Sequence, residues 1–331
     1  MSYGRSGIPA VACALLVLGG CGGGSTRPAP AAHPSNPVTE TVTAAPSPAP
    51  PPAPRRSQSQ GPPFPIDERV VTFTDPRRTV PAPGGGRGPR RLVTIIRFPR
   101  AREPFPLIVF GHGFAVTPRP YARLLEAWAR AGYVVAAPYF PLENGDAPGG
   151  PDESDLVNQP GDMSLLITRL LGLAQDPRSF IASRVDPRRV AVSGQSDGGE
   201  TALAAAYDEH FRDPRISAAA ILSGAEIPNV GGFSFPAPSP PLLATQGMAD
   251  SVNPPSFTAA FYDIAPPPKF LLQLTGAPHL GPYTGAQPQF GVVERVTIAF
   301  FRRYLNGDGA GLEQMRRAGN VPGVATLSGT S

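Results

Sequence analysis

The sequence predicts an α/β fold, a mainly parallel central sheet with helices on both faces and no large lid. Three observations carry this expectation. From Phe64 onward, short apolar runs of strand length alternate with stretches whose apolar residues recur at helical spacing. Turn formers punctuate the runs, as where Pro106 and Gly111 bound the wholly apolar Leu107–Phe110. The segments between successive runs are long enough for helical crossovers, which join parallel strands.

In order, Arg69–Thr74 and Leu92–Phe98 open as strands, and Leu107–Phe110 follows as a fully apolar one. Tyr121–Ala131 then sets Leu124, Leu125, Ala127, Trp128 and Ala131 at helical spacing, and Gly132 ends that helix. Tyr133–Ala137 is a strand, Asp162 caps a helix running through Leu171, and Arg189–Ser193 is the next buried strand. Thr201–Ala206 is helical, Ala218–Leu222, Leu242–Thr245 and Phe270–Leu274 are strands, and Val292–Tyr304 is a closing amphipathic helix. After Tyr304 a short helix near Leu312–Arg317 is expected, then a fraying tail.

Composition sets the domain organisation. Of 331 residues 45 are proline and 37 glycine, but they are unevenly spread. Residues 22–63 hold twelve prolines, seven alanines and no aromatic residue, too little apolar surface to offset the cost of ordering. All 17 phenylalanines and the only tryptophan come later, enough for one sizeable core, so a collagen-like or wholly disordered chain is excluded. Two cysteines, Cys13 and Cys21, exclude a disulfide scaffold.

Residues 1–20 read as an export signal: Arg5, then a short apolar stretch from Ile8 to Leu18. Leu18-Gly19-Gly20-Cys21 resembles the bacterial lipobox, which implies cleavage before Cys21, lipid on its thiol and attachment to the cell envelope membrane. Residues 21–63 are then an anchored, Pro/Ala-rich tether reaching up to roughly 130 Å in the polyproline conformation. Residues 64–306 form the α/β domain and 307–331 a C-terminal tail. Positive charge is nearly all arginine, Lys269 being the only lysine, and the cluster Arg87, Arg90, Arg91, Arg97, Arg100 and Arg102 reads as a solvated face. Nucleic-acid binding is not expected, since no aromatic-interleaved basic motif occurs.

In a sheet of this kind ligands bind beyond the carboxyl ends of the strands. Directly after Val190–Ser193 stands Gly194-Gln195-Ser196-Asp197-Gly198-Gly199, a G-x-S-x-G pattern between strand and helix. A sharp turn there pushes out the Ser196 hydroxyl, and side chains in place of the glycines would collide with backbone. A serine nucleophile needs a base. Of four histidines, His33 lies in the tether, His112 follows an early strand, and His210 is roughly 20 Å from Ser196 at the far end of a helix rising ~1.5 Å per residue. His279, in the loop after the last strand, is left as the base. Its carboxylate partner is Asp250 or Glu226, and the chain order Ser, Asp, His favours Asp250. Two N–H donors must face the oxyanion, and they are assigned to the backbone of Asp197 and of Phe114, in the loop Phe110-Gly111-His112-Gly113-Phe114. His112 then orients this loop. Gln195, Met248, Leu280 and Tyr283, with the Phe114 ring, are expected to line the pocket.

These motifs together resemble the α/β-hydrolase superfamily over about residues 91–305, and within it the neighbourhood of dienelactone hydrolases, chlorophyllases and polyester-degrading cutinases. The resemblance implies carboxylic-ester hydrolysis through an acyl-enzyme, with no metal or organic cofactor. Dienelactone hydrolases have cysteine where this chain has Ser196, and bacterial polyesterases have G-H-S-M-G-G where it has Gln195 and Asp197. Their aromatic subsite includes a tryptophan, whereas Trp128 is on an early helix. The segment between Leu222 and Leu242 is too short for a lipase lid, and the acids of Phe140–Gly161 read as a solvated loop. The expected activity is therefore that of a monomeric serine esterase on short or medium acyl groups, small-molecule or polymeric. Polyester or lipid-ester hydrolysis is an alternative, as is a non-catalytic surface lipoprotein that binds through the same fold.

Overall fold

Along Phe105–Gly111, Leu107 and Val109 enter one apolar core while Ile108 and Phe110 enter another, because successive strand side chains leave opposite faces of a sheet. Such a strand needs cover on both sides, and helices supply it. The computed structural model describes residues 63–331 apart from 83, 84 and 236, so the expected signal, Cys21 and the tether lie outside the described residues. The strands are β1 (Ile66–Pro81), β2 (Arg87–Pro99), β3 (Phe105–Gly111), β4 (Val134–Pro138), β5 (Val185–Gln195), β6 (Ile216–Leu222), β7 (Leu242–Gly247), β8 (Lys269–Leu274) and β9 (Ala325–Thr330). They form one sheet in the order β1-β2-β4-β3-β5-β6-β7-β8-β9. From β4 to β8 every neighbour is parallel, while β1, β2 and β9 pair antiparallel at the two ends.

The helices are α1 (Ala122–Arg130), α2 (Gln159–Gln175), α3 (Asp197–Tyr207), α4 (Pro255–Ile264), α5 (Gly281–Thr284), α6 (Gln289–Leu305) and α7 (Gly311–Gly319). Leu166, Leu170, Leu203, Tyr207 and Phe261 from α2, α3 and α4 share one core with Val109, Val192 and Ile221. Trp128, Val296, Phe300 and Met315 from α1, α6 and α7 share the other with Ile108, Ala191 and Leu243. Trp128 is fully buried, donates from Nε1 to Thr297 Oγ1 at 2.9 Å and stands edge-on to Phe301, so it lines no subsite. Among the described residues the β6–β7 connection carries no helix.

Four expectations are corrected. The tail does not fray after its helix: β9 adds to the edge of β8, burying Ala325 and Leu327. Its two apolar side chains are too sparse a signal alone, and the open edge of β8 recruits it. Asp162 does not cap α2 but sits inside its first turn, fully buried, where both carboxylate oxygens meet Arg90. Arg90 and Arg97 are not on a solvated face; both are buried. Nor is Phe140–Gly161 simply solvated, since Asp155 grips the two outer nitrogens of Arg90 at 2.7 and 2.6 Å and Glu143 has no exposed surface. A buried guanidinium needs anionic partners, and removing one from such a group costs about 3–5 kcal/mol.

Candidate active site

At the carboxyl edge of β5 the chain reverses sharply into α3, with Ser196 at the turn in a strained conformation, φ 55° and ψ −127°. Two glycines make the turn possible. A Cβ at Gly194 would overlap the Gly198 carbonyl, and one at Gly198 would overlap the carbonyl of Gly111 in β3. The hydroxyl of Ser196 is thereby held at the start of a helix whose first N–H groups, those of Asp197 and Gly198, have no intrahelical acceptor.

Opposite stands the loop after β3. Gly113 packs on Ser196 so closely that a Cβ there would lie 3.0 Å from Ser196 Cβ. The Phe114 N–H makes no hydrogen bond within the described residues, whereas Ala115 N–H is taken by the Glu143 carbonyl at 3.0 Å. His112 is fully buried and both ring nitrogens are used: Nδ1 donates to the Gly113 carbonyl and Nε2 accepts the Phe140 N–H. Burial pushes its pKa down to about 4, so the ring is neutral and braces the loop.

The carboxyl edges of β7 and β8 bring Asp250 and His279 together. Asp250 Oδ2 lies 2.7 Å from His279 Nδ1, and Oδ1 accepts the N–H groups of Val252 and Asn253 at 2.9 Å each. These bonds fix the carboxylate and place the imidazole proton on Nδ1, leaving Nε2 as an acceptor. Glu226, the other acid considered, makes no contact with His279, and burial raises its carboxyl above the ordinary range. His210 lies on the surface against Glu209.

Ser196 Oγ does not bond His279 in this arrangement; it donates to Asp197 Oδ1 at 3.3 Å. Gln195 occupies His279 instead. Its side-chain nitrogen lies 3.1 Å from both Nε2 and the carbonyl oxygen of His279, and its oxygen accepts the Tyr121 hydroxyl at 2.6 Å. The facing carbonyl requires a donor, which settles the orientation of the amide. Gln195 is thus buried inside a polar chain from Tyr121 to Asp250, rather than lining an open pocket as expected. Tyr283 is also withdrawn from the expected lining: it is fully buried with its hydroxyl 2.8 Å from Ser223 Oγ. Phe114 and Met248 are exposed and Leu280 partly so, while Ser196 is itself only 6 % exposed.

Three residues here carry no sequence signal. Tyr121 reads only as the first residue of a helical segment. Glu143 and Glu200 are ordinary acids in a loop and a helix, yet burial raises their carboxyls to about 11 and about 8 respectively. Both face Asp197, which adds to each shift by like-charge repulsion. A groove of about 850 Å³ between the β1–β2 hairpin and residues 139–152 is lined by Pro81, Pro89, Tyr139, Leu142 and Pro148 and includes none of Ser196, Asp250 or His279.

The sheet order, the strained serine turn at the end of β5, and the loops after β7 and β8 define the architecture of an α/β-hydrolase. Residues 86–249 match the family model described as Chlorophyllase, a family of the α/β-hydrolase superfamily whose fold this chain has. No curated protein matches the chain. The family match supports a serine hydrolase of the α/β-hydrolase type.

Proposed function

We propose that the chain is a carboxylic-ester hydrolase in which Ser196 is the nucleophile, His279 the base and Asp250 the carboxylate that holds it. The observation that carries this reading is the 2.7 Å Asp250–His279 bond, in loops next to a serine strained into the turn between β5 and α3. Catalysis begins when Ser196 Oγ turns from Asp197 to His279 Nε2 and Gln195 releases that nitrogen. The Oγ–Oδ1 separation of 3.3 Å is long for a bond to a carboxylate, so leaving it costs little. Oγ then attacks the ester carbonyl as its proton passes to Nε2, and the oxyanion forms toward the N–H groups of Phe114 and Asp197. His279 returns the proton to the departing alcohol. Water, activated by the same nitrogen, then attacks the acyl carbon and releases the acid.

The exposed Phe114 and Met248, with no helix in the β6–β7 connection among the described residues, suit short or medium acyl groups entering from solvent. The test is labelling of the purified domain by a fluorophosphonate probe together with turnover of a short-chain p-nitrophenyl ester. Both are expected to disappear in Ser196→Ala. A folded wild-type protein that neither labels nor turns over would sink the reading and leave a binding module of the same fold. Envelope anchoring through Cys21 is part of the proposal, and a Cys21→Ala variant should leave the membrane for the soluble exported fraction.

A further inference from the structure

Glu143, in the loop after β4, is fully buried and touches two separate parts of the site. Through its backbone it binds the turn that carries Phe114: its carbonyl accepts the Ala115 N–H, and the Gly145 N–H donates to the Val116 carbonyl at 2.9 Å. The two segments run so close that a Cβ at Gly145 would lie 2.6 Å from the Ala115 carbonyl oxygen. Through its side chain it reaches Asp197, the residue after the nucleophile, at hydrogen-bonding range.

Neither carboxyl oxygen of Glu143, nor Oδ2 of Asp197, receives an N–H or O–H from any other group. Two carboxylates only accept, so this contact is a hydrogen bond only when one proton is shared between them. The charged groups acting on Glu143 are all acids, Asp197, Asp155 and Glu200, and with burial they favour keeping that proton.

We propose that Glu143 is a positioning residue: through a proton shared with Asp197 it ties together the two backbone segments that present the Phe114 and Asp197 N–H groups. The inference rests on reading those groups as oxyanion donors. The same bond has an electrostatic effect. Asp197 Oδ1 is 3.3 Å from Ser196 Oγ, where an isolated carboxylate would oppose charge developing on the substrate oxygen. An O–H donated by Glu143 to the other oxygen draws that charge away from the nucleophile.

The experiment compares Glu143→Gln, which keeps a donor to Asp197, with Glu143→Leu, which removes it at similar volume. Removing a direct oxyanion donor costs about 10²–10³-fold in kcat, so Glu143→Leu is expected to lower kcat by about 10- to 100-fold with KM within about twofold. It should weaken inhibition by a boronic acid, which forms a tetrahedral adduct on serine, by the same factor. Glu143→Gln should stay within about threefold of wild type in both. A wild-type minus Glu143→Gln infrared difference spectrum at neutral pH should show the C=O band of a protonated carboxyl. Wild-type kcat and boronate affinity in Glu143→Leu, or no such band, would overturn the proposal. If Glu143→Leu fails to fold, the infrared band and the Gln variant decide. Turnover that survives Ser196→Ala would count against the esterase reading, and the infrared arm would still report on the shared proton.

Discussion

Gln195 holds His279 Nε2, the nitrogen that accepts the serine proton in the proposed mechanism, and this makes its replacement informative. A neutral hydrogen bond contributes about 0.5–1.5 kcal/mol net, and at about 1.4 kcal/mol per tenfold the bond from Gln195 to His279 Nε2 lowers the free-imidazole population by roughly 2- to 12-fold. Gln195→Met, similar in length, should therefore raise the second-order rate of fluorophosphonate labelling by about 2- to 10-fold, if releasing Nε2 precedes attack. The same substitution removes the acceptor of the Tyr121 hydroxyl, which is buried and otherwise meets only the Gly113 N–H at 3.5 Å. Leaving that group without its acceptor costs about 1–3 kcal/mol of stability, whereas removing both partners is nearly neutral. The double variant with Tyr121→Phe should thus be more stable than the sum of the two single losses implies. Labelling rates and urea unfolding of the wild type, both singles and the double test this directly. Slower labelling of a folded Gln195→Met protein would refute the restraint and make the amide a support for His279. Additive stability losses would refute the buried hydroxyl–amide pairing.

Asp250→Asn should reduce kcat by about 10⁴-fold, as expected when the imidazole loses its fixed tautomer, while Glu226→Gln stays near wild type; ester turnover of the two variants compares them, and the reverse ranking would exchange the acids. Arg90→Met should cost about 3–5 kcal/mol in chemical unfolding, because Asp155 would be buried without its cation and Asp162 would keep only Arg78. Glu200 is held at about 8 by burial first and then by Asp197 and Glu153, above its ordinary 4.5, so the folded state binds its proton more tightly than the unfolded chain. Stability from this group is therefore full at low pH and is lost as pH rises from 4.5 through about 8, and Glu200→Gln should flatten the thermal-unfolding profile across that window.

The legible parts of this fold are those imposed by burial at short range. Leu107 and Val109 against Ile108 and Phe110, or Trp128 and its stripe on α1, follow from residue spacing alone, because each side chain's face is set by its place in a strand or helix. The serine turn is legible for the same reason, since Gly194 and Gly198 are demanded by backbone within a few residues and by one neighbouring strand. Arg90 is different: its partners, Asp155 and Asp162, are 65 and 72 positions away, and nothing in their local spacing distinguishes them from surface acids. Strand β9 belongs with these, since only the exposed edge of β8 makes a strand of Ala325–Thr330.

Position 197 brings the two kinds of information into one residue. Its N–H is aimed by the start of α3, a local consequence of the G-x-S-x-G turn, and any residue but proline would supply it. Its side chain has no such constraint, and on the proposal above the carboxylate is tolerated beside Ser196 because a second acid, 54 positions earlier, is buried against it with a proton to share. A carboxylate at 197 and an apolar residue at 143 would each be unremarkable in sequence, yet together they would leave a bare negative charge beside Ser196. The two positions must therefore be read as a pair, which accounts for why the motif alone points to Ser196 but not to the acid that accompanies it.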